Sequence, residues 1–300
     1  MYDENVETTK EIKSSPGTLV WRRFRHNRMA LIGLGMLSII VLISILAPLL
    51  ATHDPNKIYM DKFRQPPNDE HILGTDSLGR DVWSRLVYGS RVSMTVGITA
   101  VAMYLLIGVT IGTLAAYFGG VVDMVLMRLT DIVMSFPFLL FALVIVATLE
   151  GEGNIWVVMG VIGLLGWTTN ARLIRGQILS LRDKDYVQSA RALGASHFRI
   201  IFKHLLPNAM APVLVASTLS MAFAIMTEAA LSFLGMGVPP TMASWGSMLS
   251  EANSRLVMDR MPWLWVPPGI AVLVSVLSIN FVGDGLRDAL DPKQKNNKEV

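Results

Sequence analysis

The chain has 300 residues, of which 52% are hydrophobic and 16% charged, with a net charge of +3 and no cysteine. A soluble domain carries about a quarter charged residues, and the mean hydropathy here is +0.47, so an ordinary water-soluble fold is excluded. The lack of cysteine excludes disulfide staples and thiolate chemistry.

The polar, mixed-charge tail Met1–Lys13 is expected to be disordered. Arg22, Arg23, Arg25 and Arg28 then precede the first of six apolar stretches: Ala30–Ala51, Val92–Phe118, Asp123–Leu149, Ile155–Leu173, Val213–Met236 and Leu264–Val282. Each reaches about the length a helix needs to cross a bilayer, so the fold class is all-α, a polytopic membrane protein with six transmembrane helices. The first stretch is too long for the apolar part of a cleaved signal and lacks a small-x-small cleavage site, so it reads as a retained span. The arginine cluster places the N-terminus in the cytoplasm. An even span count returns the C-terminus there, with Arg287, Lys293, Lys295 and Lys298, and puts the acidic turn Glu150–Asn154 outside. The loop Thr52–Arg91 is then external although it carries Lys57, Lys62, Arg64, Arg80, Arg85 and Arg91; the charges nearest the first span dominate. The chain divides into a cytoplasmic tail (1–29), a first span (30–51), an external loop with an interfacial helix (52–91), a core of five spans (92–288) and a cytoplasmic tail (289–300).

Within the external loop, Thr75–Asp81 has turn chemistry, and Val82, Trp83, Leu86 and Val87 form an apolar helical stripe in which Asp81 and Arg85 are spaced to pair. Gly108, Gly112, Ala116 and Gly120 recur every four residues, and Gly160, Gly163 and Gly166 every three, as ridges for close helix packing in lipid. At the start of the third span, Arg128 and Asp131 are spaced to pair on one face near Asp123. Glu228 lies deep in the fifth span, where a carboxylate either lines a pore or gate or clamps two helices by hydrogen bonds. Trp245, Trp263 and Trp265 flank the last two spans as expected interface anchors.

The stretch between spans four and five, Asp185–Asn208, is basic and half polar. Val187, Ala190 and Leu193 fall at helical spacing; Gly194 interrupts as a capping glycine would; Phe198, Ile201, Phe202 and Leu205 begin a second apolar run, and Pro207 closes it. Two short amphipathic helices joined at a glycine can bury one stripe in their own bundle and offer the other to a partner's groove. Catalytic patterns are missing from the sequence: there is no G-x-x-x-x-G-K-[ST] phosphate loop, no H-E-x-x-H pair and no His/Cys/Asp set with metal-ligand spacing. No catalytic residue, cofactor or metal site is therefore expected in this chain, and no nucleic-acid partner.

This stretch resembles the cytoplasmic coupling loop of ABC importer permeases, the E-A-A-x3-G-x9-I-x-L-P motif. Gln188-Ser189-Ala190 stand where E-A-A stands, Gly194 matches the glycine, Leu206-Pro207 match the end, and His204 occupies the isoleucine position. The Gln and His departures look like those of the peptide-permease branch. "HILGTDSLGRDVWSRLVYGSRVSMTVG" (71–97), "TEAALSFLGMGVPPTMASWGSML" (227–249) and "NFVGDGLRDALDPK" (280–293) resemble the C-type membrane subunit of dipeptide and oligopeptide importers. The resemblance implies a type I ABC importer permease fold in the cytoplasmic membrane, with a coupling loop spanning 176–212. It also implies a second homologous permease subunit, two cytoplasmic ATPase subunits carrying ATP and Mg2+, and an extracytoplasmic peptide-binding protein. Tyr186, Gln188, Ser189, Ala190, Leu193, Gly194, Phe198, His204 and Pro207 would form the ATPase contact. Members of this family carry dipeptides, longer peptides, nickel complexes or other small solutes. An ion-coupled secondary carrier would need more midplane carboxylates than Glu228 alone; a membrane scaffold without transport is the other rival.

Overall fold

In a computed structural model, residues 16–149, 154–239 and 241–290 are described. The expectations for Met1–Lys13, for most of the acidic turn Glu150–Asn154 and for Lys293, Lys295 and Lys298 fall outside them. The described residues are almost entirely helical, and their one β-bridge joins Thr75 to Asp81.

A short α1 (Pro16–Phe24) leads into α2 (Arg28–Ile45), whose cap Asn27 accepts from the Ala30 amide. After α3 (Ala47–Leu50) comes an extended loop and then α4 (Val82–Phe118). The interfacial helix and the second span expected separately are one 37-residue helix, capped by Asp81 on the Ser84 amide. A helix of that length covers about 55 Å, well beyond the apolar core of a bilayer.

The third expected span is not one helix. α5 (Gly120–Ser135) and α6 (Phe138–Thr148) meet at 87°. Proline at 137 pushes Phe136 into extended backbone (φ −90°, ψ 138°) and breaks the ladder there. α7 (Ile155–Gly166) and α8 (Thr168–Arg182) together form one stretch long enough to cross.

After α9 (Asp185–Ala192), α10 (His197–Arg199), a π-helical turn (Ile200–Leu205) and α11 (Leu206–Phe233) run together without a break. Pro207 therefore does not close the second coupling helix. A proline ring collides with the carbonyl four residues back in an α-helix; here the preceding turn is widened, with the Leu206 amide donating to Ile201 O. The Asn208 side chain caps His204 O at 2.7 Å. The chain ends in α12 (Trp245–Leu249), a 3-10 turn, α13 (Arg255–Arg260) and the long α14 (Pro262–Leu290). Among the described residues, five stretches are long and apolar enough to span, and the bent α5–α6 pair makes a sixth.

Lipid offers helices no hydrophobic reason to associate, so backbone proximity and packing decide the bundle. A Cβ on Gly108 would press on Trp167 O and Asn170, and one on Gly112 on Ala171 O and Ile174, which is why α4 lies so close to α8. Gly163 and Gly166 likewise admit Met103 and Tyr104, whereas Gly120 and Gly160 have nothing within 4 Å. Both ridges therefore serve packing inside the bundle, and each includes one glycine that takes no part. Around α4, one core joins α6, α7 and α11, and another joins α8, α9 and the π turn.

Candidate functional site

The coupling segment folds from a capping motif outward. Gly194 has φ +76°, its amide donates to Arg191 O at 3.0 Å, and the next amide, Ala195, reaches back to Ala190 O at 3.0 Å. This pair of bonds closes the last turn of α9 and reverses the chain. Ser196 then caps α10. Val187, Ile200, Ile201 and Leu205 are buried against Ala116, Tyr117, Ile174 and Ile178, and Tyr117 Oη lies 2.7 Å from His197 Nδ1.

Among the exposed basic and polar residues of the segment lies an apolar patch. Leu193 is 88% exposed, Phe198 70%, Phe202 55% and Tyr186 42%. The Phe198 and Phe202 rings lie 4.3 Å apart, centroid to centroid. Gln188, Ser189, Gly194 and Pro207 are also exposed, while Ala190 and His204 are half-buried. Helical spacing grouped Leu193 with Val187, but the helix ends at Ala192 and the cap turns Leu193 away from the core. Phe202 belongs to the exposed patch and was assigned to the apolar run by periodicity; its spacing of four from Phe198 is the signal that pairs them.

Glu228 is fully buried and makes contacts of the clamp type. It accepts from Ser232 Oγ at 2.8 Å and from Ser93 Oγ of α4 at 3.2 Å, with Ser244 as a third hydroxyl. Ser93 also receives the Trp245 amide. The carboxylate thus ties α4, α11 and the start of α12 together. Trp245 is buried, with its indole N–H donating to Leu86 O, so it is a packing residue and not an interface anchor.

The carboxylates of α5 pair across helices. Arg175 of α8 makes a two-pronged bond to Asp123 at 2.6 Å, and Arg172 pairs with Asp131 at 2.7 Å. The expected Arg128–Asp131 pair is replaced by this one. Beside the α5–α6 bend lies a cavity of about 510 Å³ lined by Tyr104, Phe136, Phe138, Thr169, Ser220 and Phe223, among others. Its few hydroxyls sit in a mainly apolar wall.

At the other end of α4, residues 52–81 form a polar cap. Asp76 accepts from the Leu78 and Arg80 amides, pairs with Arg80 at 2.7 Å and faces Arg85 at 3.5 Å. Asp81 is committed to the Ser84 amide and to His71, so the expected Asp81–Arg85 pair does not form. Lys62, 2.5 Å from Glu70, holds that carboxyl below its ordinary range.

Residues 108–296 match the family described as the binding-protein-dependent transport system inner membrane component. Residues 15–67 match the N-terminal TM domain of oligopeptide transport permease C. The dipeptide transport system permease protein DppC of Alkalihalophilus pseudofirmus is 40% identical over 283 residues, covering 94% of this chain and 91% of the relative. A candidate peptide permease of Brucella suis biovar 1 is 42% identical over 275 residues, covering 92% and 90%. Among solved structures, the inward-facing MetNI methionine ABC transporter aligns with a TM-score of 0.54 at 18% identity, covering 69% of this chain and 96% of that chain. At that identity the likeness speaks for the fold, which is that of ABC importer permeases. With its membrane-spanning helices, the chain belongs to the binding-protein-dependent transport system inner membrane component family.

Proposed function

We propose that this chain is one of two membrane subunits of an ATP-driven importer that carries di- or oligopeptides by alternating access. The observation that carries the coupling is the exposed patch of Tyr186, Leu193, Phe198 and Phe202 beside the Gly194 cap. Such a surface suits the groove of a separate protein. Its occupant is a cytoplasmic ATPase, one for each permease subunit, which binds ATP with Mg2+; this chain has no phosphate loop of its own. Gln188, Ser189, Ala190, His204 and Pro207 shape the contact around the patch. Both termini lie in the cytoplasm, and the cap 52–81 faces the binding protein. The peptide substrate is supported by the names of the relatives. When the ATPases close, α9 and α10 move with them, and α8 and α11, which are packed on that unit, open the bundle to the other side. Glu228 holds α4, α11 and α12 together through its serine hydroxyl contacts.

The chain's lack of cysteine makes the test direct. A photo-crosslinker placed at Ser196→Cys in native membranes is expected to capture a protein with an ATP-binding phosphate loop. Transport of a labelled dipeptide should then require that protein. A labelled, accessible loop that captures no ATPase would sink the coupling reading.

A further inference from the structure

The polar cap brings together three groups that the sequence spacing separates: His53, directly after the first span, and the neighbours Glu70 and His71. One ligand-capable atom from each of the three lies within 4.8 Å of the other two. His71 is fully buried, and its Nδ1 lies 2.9 Å from Asp81 Oδ1. Asp81 is equally buried and accepts from Nδ1; in the neutral tautomer with its proton on Nδ1, Nε2 presents a lone pair. That Nε2 is buried with no hydrogen-bond partner among the described residues. A buried nitrogen acceptor without a donor is costly, yet an imidazole oriented through its other nitrogen by a carboxylate is the arrangement that metal-binding histidines use. The His53 ring lies 4.7 Å from that of His71, centroid to centroid, and its Nδ1 is 3.0 Å from Thr52 Oγ1. Glu70 engages Lys62 through Oε1, which leaves Oε2 for another partner. Lys57 and Lys62 lie over the Tyr59 ring at the edge of the cluster, and Lys62 is already paired with Glu70.

We propose that His53, Glu70 and His71 form a binding site for a first-row divalent transition-metal cation. Two imidazoles and one carboxylate suit zinc, nickel or copper in preference to calcium or magnesium. With metal–nitrogen bonds of about 2.0–2.1 Å, tetrahedral ligands sit about 3.4 Å apart, so a small inward movement of Glu70 and His53 completes the site. A bound cation would fasten the chain leaving α3 to the turn that caps α4.

The test uses the full-length protein in its assembled transporter, purified in detergent without a polyhistidine tag and stripped with chelator. Titration with Zn2+ in a calorimeter is expected to show a saturable site of micromolar or tighter affinity that weakens at least tenfold in His53→Ala and in Glu70→Gln. Both side chains are partly exposed, so these variants should fold. Zn2+ should raise the melting temperature of the wild type and not of the variants. His26→Ala, which changes an exposed histidine elsewhere, should bind like the wild type. No saturable binding overturns the proposal, and so does equal affinity in wild type and His53→Ala or loss of binding in His26→Ala. None of these outcomes bears on ATPase coupling, which rests on the opposite end of α4.

Discussion

The two ends of α4 are built on opposite plans. At its N-terminus, the cap 52–81 buries Asp76, Arg80, Asp81 and His71 and pairs charges within its own segment and with the first turns of α4. At its C-terminus, where Tyr117 meets His197, the coupling segment buries only aliphatic side chains and leaves Leu193, Phe198 and Phe202 outside. A polar network that pairs most of its buried charges within one segment holds that segment rigid. A surface of exposed rings is stable only when something else covers it. The difference is that one end pairs its charges inward while the other leaves an apolar surface outward, which is what a brace and a contact each require.

The contrast can be broken first at the brace. Asp76→Ala removes the carboxylate that pairs with the buried Arg80 and faces Arg85, and breaking a buried ion pair costs about 3–5 kcal/mol. The melting temperature in detergent should fall sharply, and a loss under about 1 kcal/mol would show that the cap does not brace this end of α4. At the contact, a paired Leu193→Asp and Phe198→Asp change should leave the melt almost unmoved. Dipeptide-stimulated ATPase activity of the assembled transporter should drop at least tenfold; an unchanged rate means that the patch does not dock. The smallest effect belongs to Gly194→Ala. A side chain in that left-handed conformation costs about 1–2 kcal/mol, with a mild loss of stability and a measurable loss of coupling. An unaltered melt would mean that the α9 cap bends freely.

Much of this architecture could be read before any coordinates. Each of the six apolar stretches falls on one of the crossing segments, because length and hydropathy decide which helices can cross, but the helices run on past them: α4 begins ten residues earlier than its stretch and α14 ends eight residues later. Gly194 was recognisable as a cap since few residues tolerate its conformation. The α5–α6 break was not, because the apolar run continues through Pro137 and prolines are tolerated within membrane helices, as Pro212 and Pro267 are here. The carboxylates of α5 were misassigned for a different reason: a partner three residues away on the same helix satisfies the spacing rule, while Arg172 and Arg175 lie more than forty residues downstream. The meeting of His53 with His71 depends on how an irregular loop folds back, which no periodicity encodes.

The unbroken length of α4 carries a mechanical consequence. A helix of about 55 Å without a proline behaves as a lever, and its fulcrum is where Gly108 and Gly112 press against α8. A tilt of about 10° displaces one tip relative to the other by about 10 Å. If the coupling segment moves with a partner as proposed, a small sliding at one face is converted into a larger excursion at the other.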